Sequence, residues 1–285
     1  MLTDFGSEGW YVGVMKAVIK CICPEADIID ISHKVTPQSV AEGAFMLAAC
    51  HEFFPPGTIF LAVIDPGVGS AREPVLLKAS KQWFAAPNNG LLGPVAQRDN
   101  KSQCRRLTNP QYYLGTPSAT FHGRDIFAPA AAHLAAGVPW TQLAPEKTIC
   151  FGLPASEPSY DCGIIMGNII YFDHFGNAIT NISHKLFMES FNRKIPAHKR
   201  VSASRKAKSP SSGETGAPAI AIQAGEYVIP GISRAYSDVK FGEALACWGS
   251  AGYLEIAVNH GNARSQLGLI LPGKVIIRRI GVINK

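Results

Sequence analysis

The chain has no Cys-x-x-Cys pair among its seven cysteines, no apolar run near the ~18 residues a membrane span needs, and no basic stretch leading into an apolar core at its start. An odd number of thiols without such a pair argues against a disulfide framework and for a reducing compartment. The other two absences point away from a spanning helix and a secretory signal, so a soluble, cytoplasmic protein is expected. Cys21 and Cys23 form only a Cys-x-Cys within a helical pattern and read as core thiols. His51, His184, His198 and His260 lack metal-ligand spacing, and no metal is expected. His133, inside the apolar run Ile126–Ala136, reads as a core or interface side chain. Acids are missing from the stretch holding Arg193, Lys194, Lys199, Arg200, Arg205, Lys206 and Lys208, which carries the whole formal charge of +6; without those seven the chain sits at about −1. No aromatic interrupts that stretch, so it reads as a solvated loop and no nucleic-acid partner is expected.

What is present is an ordinary globular composition, 47% hydrophobic over 285 residues, without an internal repeat. Trp10–Ile22 recurs apolar at helical spacing, and Asp27–Ser32 reads as a short buried strand after Pro24. Pro37–Phe54 follows as a helix, Pro55-Pro56-Gly57 as a break, and Thr58–Asp65 as a strand. Val75–Ser80 and Trp83–Pro87 form a hairpin pair before Asn88-Asn89-Gly90 turns the chain toward another helix. The expected fold is α/β: an N-terminal mixed, partly parallel sheet flanked by helices (residues 1–150), a linker (151–161), and a smaller, mainly antiparallel β domain (162–285). The second domain contains the β-like runs Gly163–Ser183, Ala219–Val228, Leu254–Val258 and Val275–Ile280. The low-complexity basic segment Asn192–Pro218 reads as a flexible insertion between them.

Two segments carry candidate chemistry. Leu61–Leu77 runs from a β-branched strand into Asp65-Pro66-Gly67-Val68-Gly69 and reaches Arg72, placing a carboxylate at a strand end where α/β folds collect ligands. Thr120-Phe121-His122-Gly123-Arg124-Asp125 supplies a histidine just before a helical run. Singly, Asp65 could cap its turn, Arg72 could be a surface cation and His122 could cap the helix. Both segments are more elaborate than a cap requires, which favours an Asp, Arg and His meeting at one site.

Thr3–Gly6 (TDFG), Tyr11–Lys16, Ile31–His33, Phe54–Thr58, Asp65–Arg72, Asn88–Leu92 and Phe121–Pro129, with Asp173–Asn177, Thr180-Asn181 and Ser250–Ala257, resemble the signatures of the S-adenosyl-L-methionine hydroxide adenosyltransferase family. The resemblance spans nearly the whole chain outside Asn192–Pro218. It implies a hydrolase that converts S-adenosyl-L-methionine (SAM) to adenosine and methionine by attack of water or hydroxide on the ribose 5′ carbon. SAM is then the substrate, and no cofactor is expected. By matching motif, Asp65, Arg72 and His122 are the water-activating triad and Asp4 the ribose anchor. Asn177 reads the adenine edge beside Phe175, and Asp173 and Ser250 lie near the methionine amine and carboxylate. For Asn177 a plain turn role competes.

The family's trimers place each nucleoside between one subunit's first domain and its neighbour's second, so a homotrimer is implied. Halide-using relatives and a non-catalytic SAM or adenosine binder are the alternatives; an Asp-Arg-His set favours oxygen over a halide. Two departures matter. Family members carry several apolar residues before TDFG, where this chain has Met1-Leu2, so a missing first strand and a poorly held Asp4 are expected. The family's acid five residues after that aspartate is Gly9 here, with Glu8 one place earlier, which puts recognition of the methionine amine in question.

Overall fold

Strand-forming runs bounded by Gly and Pro become, in the first unit, a six-stranded mixed sheet. The computed structural model describes residues 1–153, 157–191 and 220–280, and the chain divides into the units Met1–Pro154 and Ala155–Lys285. Strands β1 (Leu2–Thr3), β2 (Ile59–Val63), β3 (Pro74–Ala79), β4 (Gln82–Pro87), β5 (Gln103–Arg106) and β6 (Glu146–Thr148) lie in the order β1-β2-β4-β3-β5-β6. β1, β2 and β4 run parallel, and β3, the hairpin partner of β4, begins the antiparallel half.

Successive side chains of a strand face opposite sides, and the β2 region shows it. Leu61 and Val63 join a core with Met15, Val18 and Ile19 of α1 (Tyr11–Ile22) and Ala130 to Ala132 of α4 (Ala128–Ala135). Phe60, Ala62 and Ile64 join the opposite core with Ala44 and Leu47 of α2 (Val40–Cys50) and Val95 of α3 (Gly93–Arg98). Burial on both faces explains why this strand reads as a continuous apolar run rather than an alternating one.

Two expectations are corrected. Asp27–Ser32 is not a strand: its only ladder contact is a single bridge from Ser32 to Leu2. The neighbouring β1 offers two residues to pair with, and Asp30 faces Lys16 and His33 instead. Nor is the first strand missing. Leu2, fully buried, pairs with Ala62 and Thr3 with Val63, so Asp4 leaves directly from a paired strand. The Gln38 amide then donates to Asp4 Oδ2 at 2.7 Å.

The second unit is an eight-stranded antiparallel sheet: β7 (Ser159–Asp161), β8 (Ile164–Phe172), β9 (Ala178–Ser183), β10 (Ile220–Ala224), β11 (Tyr227–Pro230), β12 (Ala244–Trp248), β13 (Tyr253–Val258) and β14 (Gly273–Arg279). The order is β11-β10-β14-β8-β9-β13-β12, with β7 on β8. Ile165, Ile169, Ile182, Ile222, Ile256 and Ile277 form its core. Of the stretch 151–161, Phe151 donates its amide to Asn88 Oδ1 in the first unit, whereas Ser159–Asp161 is already strand. The basic insertion 192–218 lies outside the described residues.

What draws the two motif loops of the first unit together is a glycine. Gly69 has φ +78°, and a Cβ there would stand 2.3 Å from the carbonyl oxygen of Ala119, three residues before His122. Gly57 has a similar φ of +86° with nothing within 4 Å. Gly57→Ala should therefore cost about 1–2 kcal/mol, the left-handed backbone penalty alone. Gly69→Ala should cost at least about 1 kcal/mol more, because a backbone carbonyl must also yield. Urea unfolding of both variants checks this; equal losses would contradict the close approach.

Candidate active site

Asp65 lies two residues past β2, where the strand's last N–H and C=O groups give way to the turn Asp65-Pro66-Gly67-Val68. Its carboxylate does not cap that turn. It faces Arg72, whose Nε donates to Oδ1 at 2.9 Å while Nη2 donates to Oδ2, a bidentate pair with side chains 5% and 9% exposed. Arg72 Nη2 also meets His122 Nδ1 at 2.7 Å. The structure thus brings Asp65, Arg72 and His122 together, with Arg72 in the middle, and the guanidinium lies over the ring of Phe127. His122 precedes a single π-turn, Gly123–Phe127, that runs into α4, and its side chain makes no cap hydrogen bond. π-turns concentrate at functional sites because they re-aim one residue without ending the helix.

The hydrogen-bond inventory sets the imidazole's tautomer. Arginine can only donate, so Nδ1 must accept and the proton of neutral His122 sits on Nε2. Burial, and then the positive charge of Arg72, hold the His122 pKa below the ordinary histidine value. Arg72 Nη1 is buried and has no hydrogen-bond partner among the described residues.

Asp125 supports this arrangement without having stood out as a site residue in the sequence. Its side chain is 2% exposed, accepts from Arg124 Nε at 2.6 Å and from the Ser118 amide at 2.8 Å, and so pins the loop that leads to His122. Burial would raise its pKa, but Arg124 and the Ser118 bonds outweigh it and hold the carboxylate low. Asn89 is a second supporting residue, since its Nδ2 donates to the carbonyl of Ile64 at 2.9 Å, beside Asp65. Asp4 is held by Gln38, a non-glycine residue at φ +67°. The next residue, Phe5, packs edge-on to Phe121, which adjoins His122.

In the second unit Asp173, Phe175 and Asn177 share the loop between β8 and β9. Asp173 organises it: Oδ1 accepts the amides of Phe175 (2.9 Å) and Asn177 (2.8 Å), and Oδ2 accepts Asn177 Nδ2 at 3.0 Å. Asn177 is therefore a buried turn residue whose side chain is fixed, while Phe175 stands 72% exposed. Ser250 sits exposed in the turn between β12 and β13 and makes no hydrogen bond to this loop among the described residues. Nearby, Glu255 is buried and accepts from Tyr236 Oη at 2.5 Å. Its pKa is raised by burial, against the Tyr236 hydrogen bond and with the help of the Asp173 charge. In the sequence Glu255 alternates with the core-facing Leu254, Ile256 and Val258 and so reads as an ordinary outward position, which gave no signal of its burial. Among the described residues no group of three or more His, Cys, Asp or Glu side chains is arranged to hold a metal ion. No helix among them is long and apolar enough to cross a membrane.

Family models match both units: the SAM hydroxide adenosyltransferase N-terminal domain over residues 1–144 and its C-terminal domain over residues 167–276. The chain is 34% identical over 281 residues to an (R)-S-adenosyl-L-methionine hydrolase of Thermus thermophilus, covering 94% of each. It is 32% identical over 217 residues to a fluorinase of an Actinoplanes species, covering 66% of this chain and 72% of that one. A crystal structure of an uncharacterized conserved protein from Thermotoga maritima superposes with a TM-score of 0.81 at 35% identity, over 98% of each chain. On these matches, the chain belongs to the SAM hydroxide adenosyltransferase family.

Proposed function

We propose that this chain is a hydrolase that converts S-adenosyl-L-methionine to adenosine and L-methionine by in-line attack of water or hydroxide on the ribose 5′ carbon. The observation that carries the reading is Arg72: two of its nitrogens are committed to Asp65 and His122, and Nη1 remains a buried, charged donor without a protein partner among the described residues. Such a donor lowers the free energy of an oxygen anion beside it far more than an exposed one would. Asp65 cancels the charge of Arg72 and His122 is neutral, so the set itself carries no net charge against which an incoming hydroxide must work.

The reaction asks little else. A C5′–O bond forms, the C5′–S bond breaks, and its electron pair returns to sulfur, so methionine departs as a neutral thioether without a general acid; when water is the nucleophile, one of its O–H bonds breaks and the proton leaves to a base of the site or to solvent. Holding the nucleophile in line can contribute roughly 7–11 kcal/mol, whereas a positioned base adds ~10²–10⁴ in rate. The rigid Asp65-Arg72-His122 arrangement fits a reaction dominated by positioning.

By chemistry, Asp4 suits the two ribose hydroxyls, which a carboxylate can accept together. Asn177 suits the adenine edge with Phe175 as a flat wall, and Asp173 and Ser250 suit the amine and carboxylate of the methionine part. A homotrimer, a cytoplasmic location, and turnover without metal, cofactor or nucleic acid complete the proposal. The family match and the Asp65 carboxylate support oxygen as nucleophile: a carboxylate can accept a hydrogen bond or a proton from water, and a halide has neither to give.

Asp65→Asn, Arg72→Lys and His122→Ala should each lower kcat by about 10²–10⁴ with KM changed only a few-fold, whereas Asn177→Ala should mainly raise KM. Steady-state kinetics of the four purified variants decide, and parallel changes in kcat and KM throughout would sink the assignment. The pH profile is a second check. Protonating His122 Nδ1 removes the acceptor for Arg72 and sets two cations face to face. Because the folded pKa is lowered, turnover should persist to pH values below ~6.5 and fall only as pH drops through that depressed pKa. An acid limb centred above ~6.5 would contradict it.

A further inference from the structure

Outside the triad, the first unit holds a second reactive cluster. Cys104 lies on β5 opposite Thr148 of β6, and Cys150 follows two residues after Thr148. Both thiols line one cavity of about 340 Å³, together with Leu77, Gly93, Ser102 and Gly152. Cys150 also packs against the apolar cluster that contains Cys104. Cys104 is buried on the core side, packed with Leu77 and Val95, while Cys150 is partly exposed.

We propose that Cys104 and Cys150 form a thiol–disulfide modification site, at which Cys150 is the attacking thiol, Cys104 the resolving one, and a low-molecular-weight disulfide the oxidant. In the first step the Cys150 thiolate attacks one sulfur of the oxidant, forming a mixed disulfide and expelling one thiolate, which takes up the proton Cys150 lost. In the second, Cys104 gives up its proton and attacks Cys150 Sγ, expelling the second thiol. Two thiols of the protein are oxidised by two electrons, and one oxidant disulfide is reduced to two thiols.

The division of labour follows from the local chemistry. The neighbouring Cys104 thiol holds the Cys150 thiol below the ordinary range, against burial. The neighbouring Cys150 thiol, and then burial, push Cys104 up. The thiolate is the nucleophile in disulfide exchange, and the partly exposed Cys150 is reached by a small disulfide before the buried Cys104, so Cys150 reacts first. Elsewhere burial raises the thiols of Cys50 and Cys247, the latter to about 11. The bridge would fasten a segment already tied to the chain beside Arg72: Asn88 Nδ2 donates to the Ile149 carbonyl, and Thr148 Oγ1 donates to Glu73.

The test uses the full chain, native and reduced, incubated with oxidised glutathione, quenched by alkylation and mapped by peptide mass spectrometry. The expected result is loss of two hydrogens and a linked peptide pair containing Cys104 and Cys150, reversed by dithiothreitol. Cys104→Ser should stop at a glutathione adduct on Cys150. Cys150→Ser should leave Cys104 unmodified over a time in which wild type reacts at least about tenfold further, with circular dichroism confirming that both variants fold. A bridge between other cysteines, mixed disulfides alone in the wild type, or an adduct elsewhere in Cys104→Ser would overturn the proposal. None of these readouts depends on SAM turnover.

Discussion

A buried guanidinium shared between a carboxylate and an imidazole is the constraint on which the site depends. Arg72 can rest there because Asp65 neutralises it with two hydrogen bonds and His122 accepts a third. Removing one partner from such a set leaves a charge or a donor stranded, which is why buried pairs are costly to break even when they contribute little net stability. Much of the surrounding local structure serves to keep the three groups in register. Asn89 steadies the end of β2, Asp125 pins the loop before His122, and Gly69 lets the Asp65 loop approach the Ala119 carbonyl. The cost of assembling the site is met by two apolar cores, one on each face of the sheet.

The same logic of a carboxylate organising its neighbours recurs in the second unit. Asp173 closes its loop by accepting three hydrogen bonds, and in doing so fixes the Asn177 amide and presents Phe175 outward. The turn role expected of Asn177 is thus present, and it leaves the amide side chain fixed in place. Glu255, buried beside this loop with Tyr236 as its partner, adds a second carboxyl whose charge is sensitive to that of Asp173.

How far the sequence disclosed this depended on the range of each interaction. Strand β2, its flanking helices, and the triad residues were legible because they are written locally: an apolar run, a carboxylate at its end, a motif before a helix. Asp27–Ser32 misled because its β-like composition says nothing of how few residues the neighbouring strand can lend it. Gln38 was illegible for another reason. A left-handed backbone is the province of glycine and asparagine, and nothing in Thr36-Pro37-Gln38 announces that the chain bends there to place an amide on Asp4. The shared cavity of Cys104 and Cys150 is likewise invisible in a list of seven cysteines, since 45 residues lie between the two that the β5–β6 pairing brings to it.

The proposed reaction turns on one physical event, the delivery of a solvent oxygen to a sulfonium-activated carbon beside Arg72. Running the reaction in ¹⁸O-enriched water, with chloride present, and weighing the nucleoside product by mass spectrometry reads that event directly. The label should appear at the 5′ position of adenosine, in an amount matching the methionine released. Unlabelled product, a 5′-halogenated nucleoside, or SAM held without conversion would contradict it.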